Sequence, residues 1–177
     1  MSNYYRFIKI NNFTEYRSEI NMEYIIRELR QDEIKLLDTF LYEAIFIPEG
    51  VQAPSKDIIE HPDLQIYIAN FGKKDDICHV AEVGGKVIGA VWTRIIKDYG
   101  YVDESTPSLS ISLLKEYRNF GIGTELMKQI LLTLKEREYK QVSLSVQKIN
   151  YAVSMYKKAG FEVVRENEED YVMVCKL

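Results

Sequence analysis

Apolar residues recur at helical spacing from Asp32 onward, at Ile34, Leu37, Leu41, Ala44 and Ile45, and the run stops at Pro48 and Gly50. The pattern predicts a first helix that ends in the loop FIPEGVQAPS, followed by a second helical region after Ser55 that restarts at Pro62 and closes at Gly72. The period then changes. ICHVAEV, a Gly-Gly pair and KVIGAVWTRII read as a β-hairpin, and SLSISLL alternates like a further strand. Next, Ile122, Leu126, Met127, Ile130, Leu131 and Leu134 form one apolar helical stripe. QVSLSV is a strand, NYAVSMYKKAG a short helix ended by Gly160, and FEVVRE and YVMVCKL are two last strands. Ahead of all this, EYIIRELRQDE predicts a strand and turn. The ordered domain is therefore expected over 22–177, with 1–21 an extension of unknown role. The order of elements is that of a single mixed α/β domain.

Composition narrows the class. At 177 residues, 46% hydrophobic and 28% charged, the chain is long enough to bury a core without metals or disulfides. A net charge of −4 argues against general nucleic-acid binding, which needs a basic face. Thirteen tyrosines point to an aromatic core rim or to a groove for a partly apolar ligand. Cys78 and Cys175 lie in apolar strands, far from other ligand-type residues. They read as buried free thiols in a reducing cytoplasm, and no metal site is expected. No segment approaches the ~20 apolar residues that a membrane span needs, and the N-terminus lacks an export signal.

The stretch EYRNFGIGTELMKQ carries the first chemical signal. A strand ending at Leu113 or Leu114, then Arg118, Gly121, Gly123 and a helix, presents unpaired backbone N–H groups where the helix dipole favours anions. Arg118 and Thr124 add donors, and the glycines admit close approach. This predicts a pyrophosphate site. A plain tight turn fits the same glycines. The stretch has neither the Gly-Lys-Ser/Thr ending of a Walker loop nor the third glycine of a dinucleotide fingerprint.

With the second stretch, NYAVSMYKKAGF at 150–161, the pair resembles the GNAT superfamily of acyl-CoA-dependent N-acetyltransferases, closely over about residues 108 to 165. The resemblance implies a central mixed, mostly antiparallel sheet of about seven strands with a splayed parallel pair, flanked by about four helices. It implies acetyl-CoA as acyl donor, held by Arg118, Gly121 and Gly123 and by backbone N–H groups of Asn119, Phe120, Ile122 and Thr124. The backbone at Leu113 and Leu114 would pair with the pantetheine arm or polarise the thioester carbonyl. Asn150 would bind the cofactor arm, and Tyr156 would protonate the departing thiolate. Read from the residues alone, Asn150 is also a helix N-cap and Tyr156 also a packed aromatic.

The resemblance supplies no fixed base for the amine. Glu82, Glu49, Asp103 and Glu104 are the candidates, and Glu49 is preferred because FIPEG sets one carboxylate among apolar residues where partial desolvation would raise its pKa. Trp92 and Arg94 share a hairpin face that either borders the acceptor or serves packing and an ion pair. His61 and His79 read as structural. The leading expectation is direct transfer of an acetyl group to a primary amine of a small molecule or peptide, with no covalent enzyme intermediate. A catalytically silent CoA-binding sensor or partner-binding module, and a site for a different nucleotide, are the alternatives. Neither nucleic acid nor membrane is expected as a partner; a homodimer through the last two strands is a fold-level analogy.

Overall fold

The computed structural model describes residues 22–177, so the extension at 1–21 lies outside the described residues. Seven strands form one sheet: β1 (Ile25–Glu28), β2 (Ile77–Val83), β3 (Lys86–Arg94), β4 (Ser108–Leu113), β5 (Gln141–Gln147), β6 (Glu162–Glu166) and β7 (Asp170–Lys176). Their spatial order is β1-β2-β3-β4-β5-β7-β6, and every neighbouring pair is antiparallel except β4 with β5. Four α-helices accompany them: α1 (Leu36–Ala44), α2 (Pro62–Gln65), α3 (Ile122–Glu136) and α4 (Ala152–Lys158).

Two apolar clusters sandwich the sheet. Alternate strand residues such as Ile88, Leu144 and Met173 meet Ile122, Leu126, Met127, Ile130 and Leu134 of α3. On the opposite face Val80, Ala90 and Trp92 meet Leu37, Phe40 and Leu41 of α1. The α3 stripe is as the period predicts, except that Thr133 is buried where Leu131 is only half-buried. The second helical region is shorter than its apolar pattern suggests: a 3-10 stretch at Lys56–Glu60 and the single α-turn of α2. His61 is extended, as the residue before a proline must be, and this splits the region.

The feature that positions the site is the parallel pair. β4 and β5 meet at one position, Ser108 opposite Ser143, with the Ser143 N–H donating to the Pro107 carbonyl at 3.0 Å. On its other edge β4 stays bonded to β3, and Leu114 donates to Ile88 at 2.9 Å. In an antiparallel ladder that phase aims the backbone groups of Ile111 and Leu113 away from β3. They open into the gap.

Candidate active site

The gap leads to the loop that enters α3. Asn119 (φ 67°) and Gly121 (φ 81°) are both left-handed, which turns successive N–H groups toward a common point. Among the described residues the backbone N–H groups of Asn119, Phe120, Gly121, Ile122 and Gly123 have no hydrogen-bond acceptor, whereas those of Thr124 and Glu125 donate to the Gly121 carbonyl at 3.0 and 3.2 Å. Thr124 therefore keeps only its hydroxyl for a ligand. A Cβ on Gly123 would lie 3.2 Å from Leu113 Cδ1, so a side chain there would crowd the mouth of the gap. The side chains of Phe120 and Ile122 pack into the core, leaving their amides as the groups on offer.

Arg118 does more than the motif implies. Its Nε donates to the Leu113 carbonyl at 3.0 Å, and Nη2 donates to the Glu43 carbonyl at 3.2 Å and to Glu43 Oε2 at 2.7 Å. The guanidinium thus ties the end of β4 to the end of α1. Leu113 is left with its N–H toward the gap. Leu114 differs from expectation: its N–H belongs to Ile88 and its side chain packs toward α1, because it is in register with the bonded edge of β4.

Across the gap, Asn150 caps α4. Its side-chain oxygen accepts from the Ala152 N–H at 2.8 Å, while its amide N–H2 has no acceptor among the described residues. Tyr156 is buried and meets Phe161 edge-on at 5.9 Å, and no described residue is hydrogen-bonded to its hydroxyl. Burial raises its pKa above the ordinary phenol range, with Tyr151 a smaller contributor, so it remains protonated. Both readings of each residue are compatible with this geometry, since each packs or caps and also lines the cleft.

The cleft encloses about 610 Å³ between these groups and an apolar wall running from Ala44 through Phe46, Ile47 and Pro48 to Val51 and Ala53. Tyr42 holds that wall by donating its hydroxyl to the Pro54 carbonyl at 2.8 Å. Glu49 is exposed and is not among the residues that line the cleft, so the enclosure expected of it is absent. Pro48 and Gly50 do not bury their neighbour because the chain turns outward between them. Glu82 is paired with Arg27, and Asp103 is taken up by Ser105 and Gln141. Trp92 and Arg94 are structural: Trp92 donates to the Tyr67 carbonyl at 3.2 Å, and Arg94 is a buried partner of Asp76 that also donates to the carbonyls of Ile66 and Ala69. His61 caps α2, and His79 is buried against Thr133.

The model of the Acetyltransferase (GNAT) family matches residues 39–161. The chain belongs to this family. It is similar to an N-alpha-acetyltransferase of Sulfurisphaera tokodaii, 31% identical over 172 aligned positions that cover 88% of this chain and 94% of that one. Among solved structures, a PaiA N-acetyltransferase of Thermoplasma acidophilum in complex with coenzyme A superposes with a TM-score of 0.63 at 20% identity, covering 88% of this chain and all (100%) of that one. The ribosomal-protein-S18-alanine N-acetyltransferase of Escherichia coli superposes with a TM-score of 0.63 at 18% identity, covering 86% and 93% of the two chains. The two solved structures share the overall fold of this chain. This GNAT protein is accordingly an acyltransferase whose acyl donor is acetyl-CoA.

The residues present suit that donor. The free amides and left-handed turns before α3 form an anion cradle, and the open edge of β4 offers strand-like pairing to an amide-bearing arm. Sequence reasoning missed Glu43, because a carboxylate at the end of α1 has no periodic signal linking it to Arg118, 75 positions away. It also missed Tyr42, whose role depends on the path of the loop. Among the described residues no helix is long and apolar enough to cross a membrane.

Proposed function

We propose that this GNAT protein transfers the acetyl group of acetyl-CoA to the α-amino group at the N-terminus of a peptide or protein, by direct attack. The observation that carries the reading is the N-alpha-acetyltransferase relative, aligned along most of both chains. The cleft supports it: an apolar wall from Ala44 to Ala53 is free to accept the first side chain of a peptide beside the donor.

The residues then divide the work. The amides of Asn119 to Gly123 hold the pyrophosphate, with Thr124 contributing its hydroxyl and Asn150 its amide N–H2 to the cofactor arm. Acetyl-CoA supplies an electrophilic carbonyl on a thiolate leaving group. The Leu113 N–H faces the negative charge that develops on the carbonyl oxygen, and Arg118 fixes that strand end in place. Tyr156 donates the proton that sulfur needs. A thiol has a pKa of about 8.5, below that of a buried phenol, so the proton moves only as the carbon–sulfur bond breaks and helps without being indispensable. Glu49, exposed at the rim, draws the acceptor's ammonium through solvent. Two buried free thiols suit a reducing cytoplasm.

A peptide with a free N-terminus and an internal lysine, incubated with enzyme and acetyl-CoA and mapped by mass spectrometry, tests the reading. Acetyl on the α-amine, abolished by blocking that amine, is expected. Acetyl on lysine alone would assign a different acceptor, and no acetyl on any amine despite bound CoA would favour a silent CoA-binding module.

A further inference from the structure

The cleft holds one carboxylate. Among the described residues that line it, Glu43 is the only aspartate or glutamate, and the cations that share the lining are Lys115 and Arg118. Arg118 Nη2 donates to Glu43 Oε2 at 2.7 Å, while no described residue donates to Oε1. The Glu43 side chain is 16% exposed, so a cation meeting it in the cleft is attracted more strongly than in open solvent. Glu43 also lies in the last turn of α1, where the helix dipole is negative. Charge and dipole both favour a cation at this point.

The carboxylate stands between the two reactants. The apolar wall begins at Ala44, the next residue along the chain. A peptide's first side chain and its α-amine branch from one carbon, so a side chain laid on the start of that wall brings the amine to Glu43. On the donor side, the same guanidinium that holds Oε2 also donates to the Leu113 carbonyl at 3.0 Å. The carbonyl and N–H of one strand residue point the same way, so Glu43 lies one guanidinium's width from the strand edge that faces the donor. Resting on the acetyl-transfer reading above, we propose that Glu43 Oε1 binds the ammonium of the incoming acceptor and so selects amines that arrive charged.

The α-amine of a peptide has a pKa of about 8, so at neutral pH it arrives mainly as the ammonium. In the empty cleft Arg118 opposes a second cation at Glu43. The donor removes that opposition, because a pyrophosphate on the amides of Asn119 to Gly123 sets an anion among the same lining residues as Lys115 and Arg118. Glu43 then has its charge for the acceptor. An ammonium has three donors, so one N–H on Oε1 leaves the others for water, and no bond to the enzyme forms or breaks at this residue. The other acidic residues considered do not compete for this role: Glu49 is outside the cleft lining, Glu82 is held by Arg27, Asp103 by Ser105 and Gln141, and Glu104 faces Lys97.

The test compares two peptides of one sequence, the first with an ordinary α-amine and the second with an aminooxy group in its place, which is uncharged at neutral pH. Their affinities are measured by calorimetry on wild type, Glu43→Gln and Glu43→Asp saturated with CoA, so that no acetyl transfer intervenes. Wild type is expected to bind the amine peptide about 10-fold more tightly than the aminooxy peptide, as one charge-assisted hydrogen bond gives. Glu43→Gln keeps an oxygen for Arg118 and loses the charge, so it should bind the two alike, while Glu43→Asp should retain a preference for the amine. The ratio is read within each protein, so a lowered stability of the variant does not move it. If Glu43 served only to tether α1, both peptides would weaken together and the ratio would stand; that result, or a wild type that binds the two alike, overturns the proposal while leaving acetyl transfer intact. Mass spectrometry of the amine peptide after incubation with wild type and acetyl-CoA reads the parent proposal separately: no acetyl on the α-amine overturns that reading, and this one with it.

Discussion

Arg118 and Glu43 join across 75 positions of sequence at 2.7 Å, and the same guanidinium reaches the Leu113 carbonyl. The residue that the motif assigns to the cofactor thereby also locks α1 to the edge of the gap. Both side chains are largely shielded, so the pair is stronger than a surface ion pair. Arg118→Ala should lower unfolding stability by about 1.5–3 kcal/mol even without acetyl-CoA, as removal of hydrogen bonds to charged groups does. Denaturant titration of Arg118→Ala, Glu43→Gln and the double variant checks this. The two losses should fall short of additive; strict additivity would mean that the residues act independently.

Tyr156 can lose its hydroxyl without losing its packing, because its edge contact with Phe161 involves the ring. Tyr156→Phe is expected to leave the thermal midpoint within a degree or two and to reduce kcat by about 10- to 100-fold, with little change in KM for acetyl-CoA. Steady-state kinetics decides between this and a packing role, for which kcat would be unchanged.

Stability should fall on mild acidification for a reason unconnected with catalysis. His79 is buried, with Nε2 2.9 Å from Thr133 Oγ1 and Nδ1 unpartnered among the described residues. Burial lowers its pKa from 6.5 to about 4. The unfolded chain therefore binds a proton below about pH 6.5 that the folded chain refuses until about pH 4. The His79 contribution is fully present above the unfolded value and is lost as pH falls through that window. Urea melts at pH 7 and pH 5 should show the drop, and His79→Gln should show a smaller one. Equal drops would assign the acid sensitivity to other groups.

Much of the fold was legible because strands and helices here keep their periods. ICHVAEV is β2 residue for residue, and the α3 stripe is buried as its spacing demands except at Leu131, where Thr133 is buried instead. Less visible was anything decided by a loop's path. Glu49 looked enclosed by apolar neighbours, yet the chain turns it outward. The segment around Asp98 and Gly100 reads as turn composition, and only the tertiary fold sets it over the head of the gap. Arg118 was legible as a motif residue, whereas its partner Glu43 was not, since pairing between distant elements leaves no local mark.

The most direct test of the site itself is thermal unfolding of wild type and Gly121→Glu with acetyl-CoA, CoA, ATP or NAD. Gly121 is left-handed at the cradle, so a glutamate there both strains the turn and repels an anion. A ligand at 100 times its dissociation constant stabilises the native state by about 2.7 kcal/mol. Acetyl-CoA and CoA alone should raise the wild-type midpoint, and Gly121→Glu should fold but lose that response. An equal response in the variant, or a response to ATP and NAD matching that to CoA, would contradict the assignment of the 118–124 loop as the acetyl-CoA site.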